Sequence, residues 1–313
     1  MAEWDSFVTN SPQGCIFCRS WWLDAVCPNQ YQIMLLRQGN KILVGMPLRF
    51  INVLGFNVIN MPPFTQTLGV LLPPSESNNY EKNLSSEMEV LKCFIQSIPK
   101  VSIFEVSFHF NFANWLPFFW AGYRQTTLYS YVLENLCDLE KIIEGFAYSK
   151  RKNIKKAEKL IEIREDLKPE DFYNNHMLTL RKQGKQISYK PEIFYRIHAA
   201  TSERNACKIW YATDKMGQLH AAIFIVYDSK SAHFLISSID PDHRNSGAVT
   251  LLVKHALEYF SNRTQRFDFE GSMIEEVETS FRRFGARQMP YFAITRSNIV
   301  MSGLVAFRKM LKK

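Results

Sequence analysis

Hydrophobic positions recur along this chain with two periods, and segments of each kind follow one another in a regular order. Apolar residues spaced by three or four predict amphipathic helices, whereas alternation and short apolar runs predict strands. Two apolar segments are joined by Gln38, Gly39 and Asn40, and the glycine supplies the positive φ of a tight hairpin. The pattern predicts an α/β (α+β) protein with helices over residues 79–98, 115–121 and 275–284 and strands over residues 31–37, 41–50, 101–108, 126–133 and 291–294.

The same order of elements occurs twice. The motif F-x-x-x-G-x-R-Q begins at Phe118 and again at Phe281, which is 163 residues later (281 − 118). Phe104 and Phe267, each within an apolar strand pattern, are related by the same spacing. We therefore predict two tandem copies of one unit: an N-terminal domain over residues 1–135, a basic connecting helix over residues 136–168 and a C-terminal domain over residues 169–313.

Composition narrows the class of protein. Of the 313 residues, 46% are hydrophobic and 22% are charged, which is ordinary for a globular protein with a buried core. No apolar run is long enough to span a membrane and the N-terminus is acidic and polar, so we expect a cytoplasmic protein. Cys15, Cys18 and Cys27 are too few for a four-ligand zinc site. The histidines show no metal spacing, so we predict no metal and expect packing or surface roles for them.

Charge favours acidic partners. The net charge of +8 favours phosphate-bearing small molecules, tRNA or an anionic membrane surface. Residues 150–159 contain six basic residues and one acid, and like charges one helical turn apart repel unless an anion offsets them. The alternative is that this segment is the solvated face of a linking helix. Residues 300–313 predict a short basic amphipathic helix, which either packs on its own domain or contacts a membrane surface.

Most candidate catalytic and anion-binding residues lie in the second copy, around the sequence FDFEGSM at residues 267–273. Before it, a glycine-containing loop opens a helical pattern at residue 248, and free N–H groups at a helix N-terminus attract anions. Alternation places Asp268 and Glu270 on one strand face, with Phe267 and Phe269 directed into the core. Either acid is a candidate proton acceptor, and the alternative is that both only pair with nearby arginines.

This block resembles the acyl-donor half of the GNAT N-acyltransferases. The sequence FDFEGSM, followed by FRRFGA and PYF, is similar to the FemAB-like branch, which contains peptidoglycan-bridge aminoacyltransferases. The resemblance is strong over residues 237–296 and weaker elsewhere. It implies tandem GNAT-like domains, each with a mixed central sheet flanked by helices. It also implies transfer from acyl-CoA or aminoacyl-tRNA to an amine, with no permanently bound cofactor.

The resemblance implies a donor site and a catalytic group. Val249 stands where a GNAT donor loop usually has a second small residue, and its branched side chain would crowd a CoA pyrophosphate. Arg282 replaces the family's usual lysine and is a poor proton acceptor. The donor-binding residues are predicted to be Arg244, Asn245, Ser246, Gly247 and Ala248, and the catalytic residues Asp268, Glu270 and Arg282.

The acceptor is expected to contact a separate group of residues. In FemAB-like proteins a basic helix lines the cleft that takes the phosphate-linked substrate. A long irregular loop in the first copy is a further candidate, since such loops often carry function. The predicted acceptor-binding residues are Lys150, Arg151, Lys155, Lys156, Thr65, Gln66 and Tyr291.

The sequence is compatible with three different functions. The first is FemAB-like transfer of an acyl or aminoacyl group to an amine of a cell-envelope precursor, including a lipid-linked one, or of a sugar. The second is a CoA-dependent GNAT acetyltransferase acting on an amino sugar or a small amine. The third is a non-catalytic basic nucleic-acid-binding module, although the sequence contains no recognised nucleic-acid motif. The first implies a cytoplasmic enzyme peripheral to the inner membrane face, with residues 300–313 as its membrane contact.

Overall fold

The computed structural model describes residues 1–75, 77–187 and 189–297, which form two compact α/β units. The first unit contains Met1–Leu128 and residues 290–297, and the second contains Tyr129–Met289. The segment predicted to form a basic amphipathic helix, residues 300–313, lies outside the described residues. None of the helices in the described part of the chain is long and apolar enough to cross a membrane.

The chain contains both helices and strands, as the hydrophobic pattern predicts. The helices are α1 (Ala2–Asn10), α2 (Ser20–Val26), α3 (Tyr80–Gln96), α4 (Leu116–Trp120), α5 (Leu139–Glu144), α6 (Tyr148–Ala157), α7 (Pro169–Lys182), α8 (Pro191–Ser202), α9 (Ala248–Phe260) and α10 (Glu275–Arg282). The strands are β1 (Tyr31–Gln38), β2 (Lys41–Val53), β3 (Phe56–Ile59), β4 (Ile103–Ser107), β5 (Arg124–Glu134), β6 (Glu162–Arg164), β7 (Cys207–Thr213), β8 (Leu219–Tyr227), β9 (Ser231–Ile239), β10 (Arg266–Asp268) and β11 (Arg287–Ser297).

Each unit is built on a mixed sheet with one parallel pair. In the first unit β1, β2 and β3 are antiparallel neighbours, β3 is parallel to β4 with Ile59 opposite Phe104, and β4 is antiparallel to β11. In the second unit β5 is antiparallel to β10, and β10 is parallel to β9 with Phe267 opposite Ala232. The strands β9, β8, β7 and β6 then follow as antiparallel neighbours. The strands of Phe104 and Phe267 are thus counterparts, which confirms the predicted tandem GNAT-like fold.

The last strand of each copy belongs partly to the sheet of the other unit. β5 ends the first copy, but its residues 132–134 pair with β10. β11 ends the second copy, but its residues 293–297 pair with β4. The boundaries of the two compact units fall within these two strands, at residues 128 and 289. The segment 136–168 contains α5, α6 and β6, and the predicted domain boundaries at residues 135 and 168 stay predictions.

An aromatic cluster lies under the FDFEGSM segment. The ring centroids of Phe267 and Phe269 are 5.1 Å apart, and Phe269 stacks on Phe281 at 5.0 Å and on Phe284 at 5.1 Å. Phe267 and Phe269 are both buried, as alternation predicts. Because burying one Phe side chain contributes about 1.5–3 kcal/mol, this cluster fixes the backbone on which Asp268 and Glu270 stand.

Candidate active site

The parallel strands β9 and β10 separate at one end. Their register ends with His233 opposite Asp268, where β10 stops while β9 continues to Ile239. The chain after β10 stays beside β5, because the Phe269 N–H donates to the Tyr131 carbonyl at 2.9 Å. The two parallel strands therefore diverge beyond His233 and Asp268.

A tight turn follows β10 and directs the second acid of the motif. Glu270 and Gly271 have φ values of 65° and 63°, both in the left-handed region. The Asp268 carboxylate holds this turn, because it accepts the Glu270 N–H at 2.8 Å and also a hydrogen bond from the Ser130 hydroxyl. A Cβ atom on residue 271 would lie 2.0 Å from the Tyr129 carbonyl oxygen, so only glycine fits there.

Glu270 is paired with a buried histidine of β9. Its Oε1 atom lies 2.9 Å from Nδ1 of His233, whose side chain is 3% exposed. The Glu270 side chain is 17% exposed, whereas Asp268 is 1% exposed as a residue, so only Glu270 of the two acids reaches the surface. Burial raises the pKa of the Glu270 carboxyl, His233 opposes that shift, and the nearby Asp268 adds to it. A carboxyl group with a raised pKa, on a side chain that is partly exposed, suits proton transfer.

Arg282, one of the arginines predicted as an alternative partner for these acids, pairs with an acid of its own helix. It donates from Nε to Glu278 at 2.9 Å, one helical turn earlier, and its side chain is 65% exposed. The predicted catalytic role of Arg282 stays a prediction. Sequence reasoning missed His233 and Ser130, because their contacts depend on the register between β9, β10 and β5, which no local motif encodes.

The predicted donor loop begins the helix α9. A 3₁₀ turn over Pro241–Ser246 leads to Gly247, whose φ is 85° and whose carbonyl accepts the first helical bond, from Leu251 at 3.1 Å. A Cβ on residue 247 would lie 2.6 Å from the carbonyl oxygen of Asn153 in α6, so the loop packs directly on the basic helix. The N-terminal end of α9 carries partial positive charge, which suits an anionic donor group.

The basic residues of α6 divide into two groups. Arg151 donates to the Glu144 and Phe146 carbonyls at 2.6 and 2.5 Å, so these hydrogen bonds stabilise the turn between α5 and α6. Lys156 is exposed and donates to the Asn245 carbonyl at 2.8 Å, beside the donor loop, and Lys155 is exposed as well.

Lys150 is half-buried at the start of the basic helix. Its Nζ lies 3.8 Å from the ring centroid of Phe284 and 3.1 Å from the Ser280 hydroxyl oxygen. Burial, with a smaller contribution from the neighbouring Arg283, lowers its pKa to about 8. The side chain therefore packs on the end of α10, although its assignment to the acceptor stays a prediction.

We expect Lys150→Met to be more stable than the wild type by about 1–2 kcal/mol at pH 7, because the variant no longer buries a cation. A lysine whose pKa is lowered on folding destabilises the fold below that pKa, and the cost disappears as pH rises from about 8 toward 10.5. The difference between variant and wild type in urea denaturation should therefore shrink over this range. Lys155→Met is the matched control, since Lys155 is exposed on the same helix. A pH-independent difference between Lys150→Met and the wild type would contradict the burial argument.

The remaining predicted acceptor residues lie in the first unit. Thr65 is buried, and its hydroxyl accepts from the Trp22 indole N–H and donates to the Pro63 carbonyl, both at 3.0 Å. Gln66 is half-buried in the same loop, and Tyr291 is 9% exposed in β11. Their roles toward an acceptor stay predictions.

Comparisons with known proteins agree with this architecture. Residues 146–273 match the family model described as an acetyltransferase (GNAT) domain. The crystal structure of FemX is 10% identical, with a TM-score of 0.69 and coverage of 93% of this chain and 95% of that chain. L-PGS from Bacillus licheniformis is 11% identical, with a TM-score of 0.51 and coverage of 100% and 97% of the two chains.

A third similar structure is the C-terminal domain of a protein from Agrobacterium fabrum named as a lysylphosphatidylglycerol synthetase. It is 9% identical, with a TM-score of 0.51 and coverage of 99% and 95%. No curated protein sequence matches the chain. Residues 146–273 therefore match a GNAT acetyltransferase domain, and the fold of the chain is similar to that of FemX.

Proposed function

We propose that this acyltransferase moves an acyl or aminoacyl group onto an amine of a phosphate-bearing cell-envelope precursor or sugar. The observation that supports this most directly is the contact between Glu270 and His233 at the point where β9 and β10 separate. The donor is an activated ester or thioester, so the protein must chiefly hold the two substrates together and remove one proton. We place the reaction in the cytoplasm, at the inner membrane face.

In the proposed reaction the amine nitrogen attacks the donor carbonyl carbon. A C–N bond forms, the C–O bond of aminoacyl-tRNA or the C–S bond of acyl-CoA breaks, and the leaving oxygen or sulfur takes up a proton. Glu270 accepts the proton that the amine loses, and His233 holds the carboxylate in place. Backbone N–H groups of β9 beyond His233, where the described part of β10 provides no partner, would face the carbonyl oxygen as it gains negative charge.

The donor phosphates are assigned to the loop of residues 244–248, and the phosphate of the acceptor to Lys155 and Lys156 of α6 beside it. Lys156 already contacts Asn245, and Lys155 extends the positive surface of α6. The fold shared with a protein named for lysylphosphatidylglycerol synthesis supports an aminoacyl donor. A specific observation favours the second candidate, a CoA-dependent acetyltransferase acting on an amino sugar or a small amine, because the matching family model is described as an acetyltransferase.

The test is a transfer assay on the full chain with labelled aminoacyl-tRNA or labelled acetyl-CoA and a nucleotide-linked amino sugar as acceptor. Label that moves from aminoacyl-tRNA to the amine supports the proposal, and label that moves from acetyl-CoA supports the second candidate. RNA binding with a steep salt dependence but no turnover of either donor would overturn both and favour a nucleic-acid-binding module.

Charge reversal of the basic helix tests the acceptor site in the same assay. Lys155→Glu should weaken binding of the nucleotide-linked acceptor by about fivefold or more and lower the salt dependence of binding, because one phosphate contact is lost. Lys215→Glu, at another exposed lysine, on the hairpin between β7 and β8, is the matched control. Equal affinities of the two variants would indicate that α6 presents a solvated face and does not bind the substrate phosphate.

A further inference from the structure

The short helix α4 of the first unit exposes large apolar side chains. Leu116, Phe119 and Trp120 are 43%, 56% and 55% exposed, and we call these three residues the α4 patch. Trp115 extends it, with its ring centroid 5.5 Å from that of Phe119. Single exposed apolar residues are common on proteins, but adjacent ones that include a tryptophan usually mark a contact surface.

The fold itself does not require this patch. The equivalent helix of the second copy is α10, related by the spacing of 163 residues, so Phe119 corresponds to Arg282 (119 + 163) and Trp120 to Arg283 (120 + 163). Both arginines are exposed, as Phe119 and Trp120 are, whereas the inward-facing position is Phe in both copies. The same helix therefore folds with charged residues at these positions, so their apolar character in α4 needs another explanation.

Charge around the α4 patch indicates which partner it fits. The chain has no acidic residue between Glu105 and Glu134, and α4 lies within this stretch. Lys92 of α3 places its Nζ 5.2 Å from the ring centroid of Trp120, and Arg124, which follows α4, is exposed. On the same α3 helix Glu89 is exposed and Glu87 is half-buried, but it is Lys92 whose charge lies against the patch itself. An aromatic surface with a cation on its tryptophan ring is complementary to an anionic phospholipid surface, where tryptophan rings sit at headgroup level.

We propose that the α4 patch is a membrane-contact surface that inserts Leu116, Phe119 and Trp120 into the interface of an anionic bilayer. The inference stands apart from the proposed acyl transfer, since lipid binding needs neither a donor nor turnover. It assigns the first unit a role in holding the chain at the surface that carries lipid-linked substrates.

The test measures binding of the full chain to vesicles of phosphatidylglycerol and phosphatidylcholine by co-sedimentation. Phe119→Ser with Trp120→Ser should raise the vesicle dissociation constant by about tenfold or more, because aromatic surface is withdrawn from the interface. Lys92→Gln should raise it by about fivefold on anionic vesicles and change little on vesicles of phosphatidylcholine alone. Leu54→Ser with Met216→Ser, at positions 93% and 91% exposed, is the matched control and should bind as the wild type does.

A second measurement locates the contact. Lipids with brominated acyl chains should quench the fluorescence of Trp120, and Trp120→Phe should lose this quenching while it keeps its vesicle affinity. Unchanged binding by the double serine variant would overturn the proposal, as would loss of binding only when residues 298–313 are removed. Concentration-dependent dimers that the double variant abolishes, without vesicle binding by the wild type, would assign the α4 patch to a second copy of the chain instead.

Discussion

Glu270→Gln is expected to lower the single-turnover rate of acyl transfer by roughly 10²–10⁴-fold, with donor affinity near that of the wild type. Glutamine keeps the size of the side chain and a carbonyl oxygen that faces His233 Nδ1, but it cannot accept the proton that the amine loses. The measurement is single-turnover transfer with whichever donor the protein uses, together with donor binding on the same samples.

Stability separates this catalytic role from a structural one. Burial raises the pKa of Glu270 on folding, so ionisation of this group opposes folding, and the cost grows as pH rises from the ordinary glutamate value through the folded pKa. Glu270→Gln should therefore unfold at the same temperature as the wild type or a higher one at neutral pH. A lower melting temperature with a near-normal rate in the cold, folded protein would make Glu270 a structural residue.

Asp268→Asn is the matched comparison for Glu270→Gln. Asp268 is buried, and it holds the turn through the Glu270 N–H and the Ser130 hydroxyl. An asparagine would weaken two hydrogen bonds to a charged acceptor and bury an extra N–H group, which costs about 1–3 kcal/mol. We expect this variant to lose stability, with its rate falling only as the folded fraction falls.

The pH dependence gives an independent check on the same residue. Glu270 accepts a proton only when it is ionised, so the wild-type rate should rise as pH increases through its folded pKa. Because burial raises that pKa, this acid limb should lie above the range of an ordinary glutamate. The limb should be absent from the residual activity of Glu270→Gln.

The repeat and the strand that bears the two acids can be predicted from the sequence, because each has a recognisable local pattern of residues. The spacing of 163 residues between Phe118 and Phe281 identifies the two copies without knowledge of their contacts. Alternation in FDFEGSM correctly buries Phe267 and Phe269, but it ends at Glu270, where a left-handed turn follows β10. Hydrophobic pattern does not reveal such a turn in advance, since the turn depends on the Asp268 side chain and on the next glycine.

Contacts between segments that are far apart in the chain cannot be predicted from such local sequence patterns. β5 and β11 end the two copies with similar patterns, and the sequence does not say which of β4 and β10 each one joins. For the same reason the sequence does not identify a partner for His233, which the strand register places opposite Asp268. The periodicity of α6 likewise shows a basic helix but cannot show that Lys150 packs on Phe284 while Lys155 stays exposed.

Gly271→Ala is expected to destabilise the protein by about 3 kcal/mol or more, since two costs add at one residue. A residue with a Cβ in the left-handed region costs about 1–2 kcal/mol. The new Cβ would also lie 2.0 Å from the Tyr129 carbonyl oxygen, and backbone on either side must move to relieve this overlap. Urea denaturation measures the loss of stability, which corresponds to a fall in melting temperature of roughly 2–4 °C per kcal/mol for units of this size.

Gly217→Ala is the matched control for this substitution. Gly217 has a φ of 77°, close to that of Gly271, but an added Cβ there would meet no atom of the described chain within 4 Å. The control should therefore cost only the conformational part, about 1–2 kcal/mol, and leave the transfer rate unchanged. In Gly271→Ala the rate should also fall in the fraction that stays folded, because the shift moves Glu270 relative to His233. Equal losses of stability in the two variants would mean that the chain after β10 does not lie against β5, and the placement of Glu270 beside His233 would then fail with it.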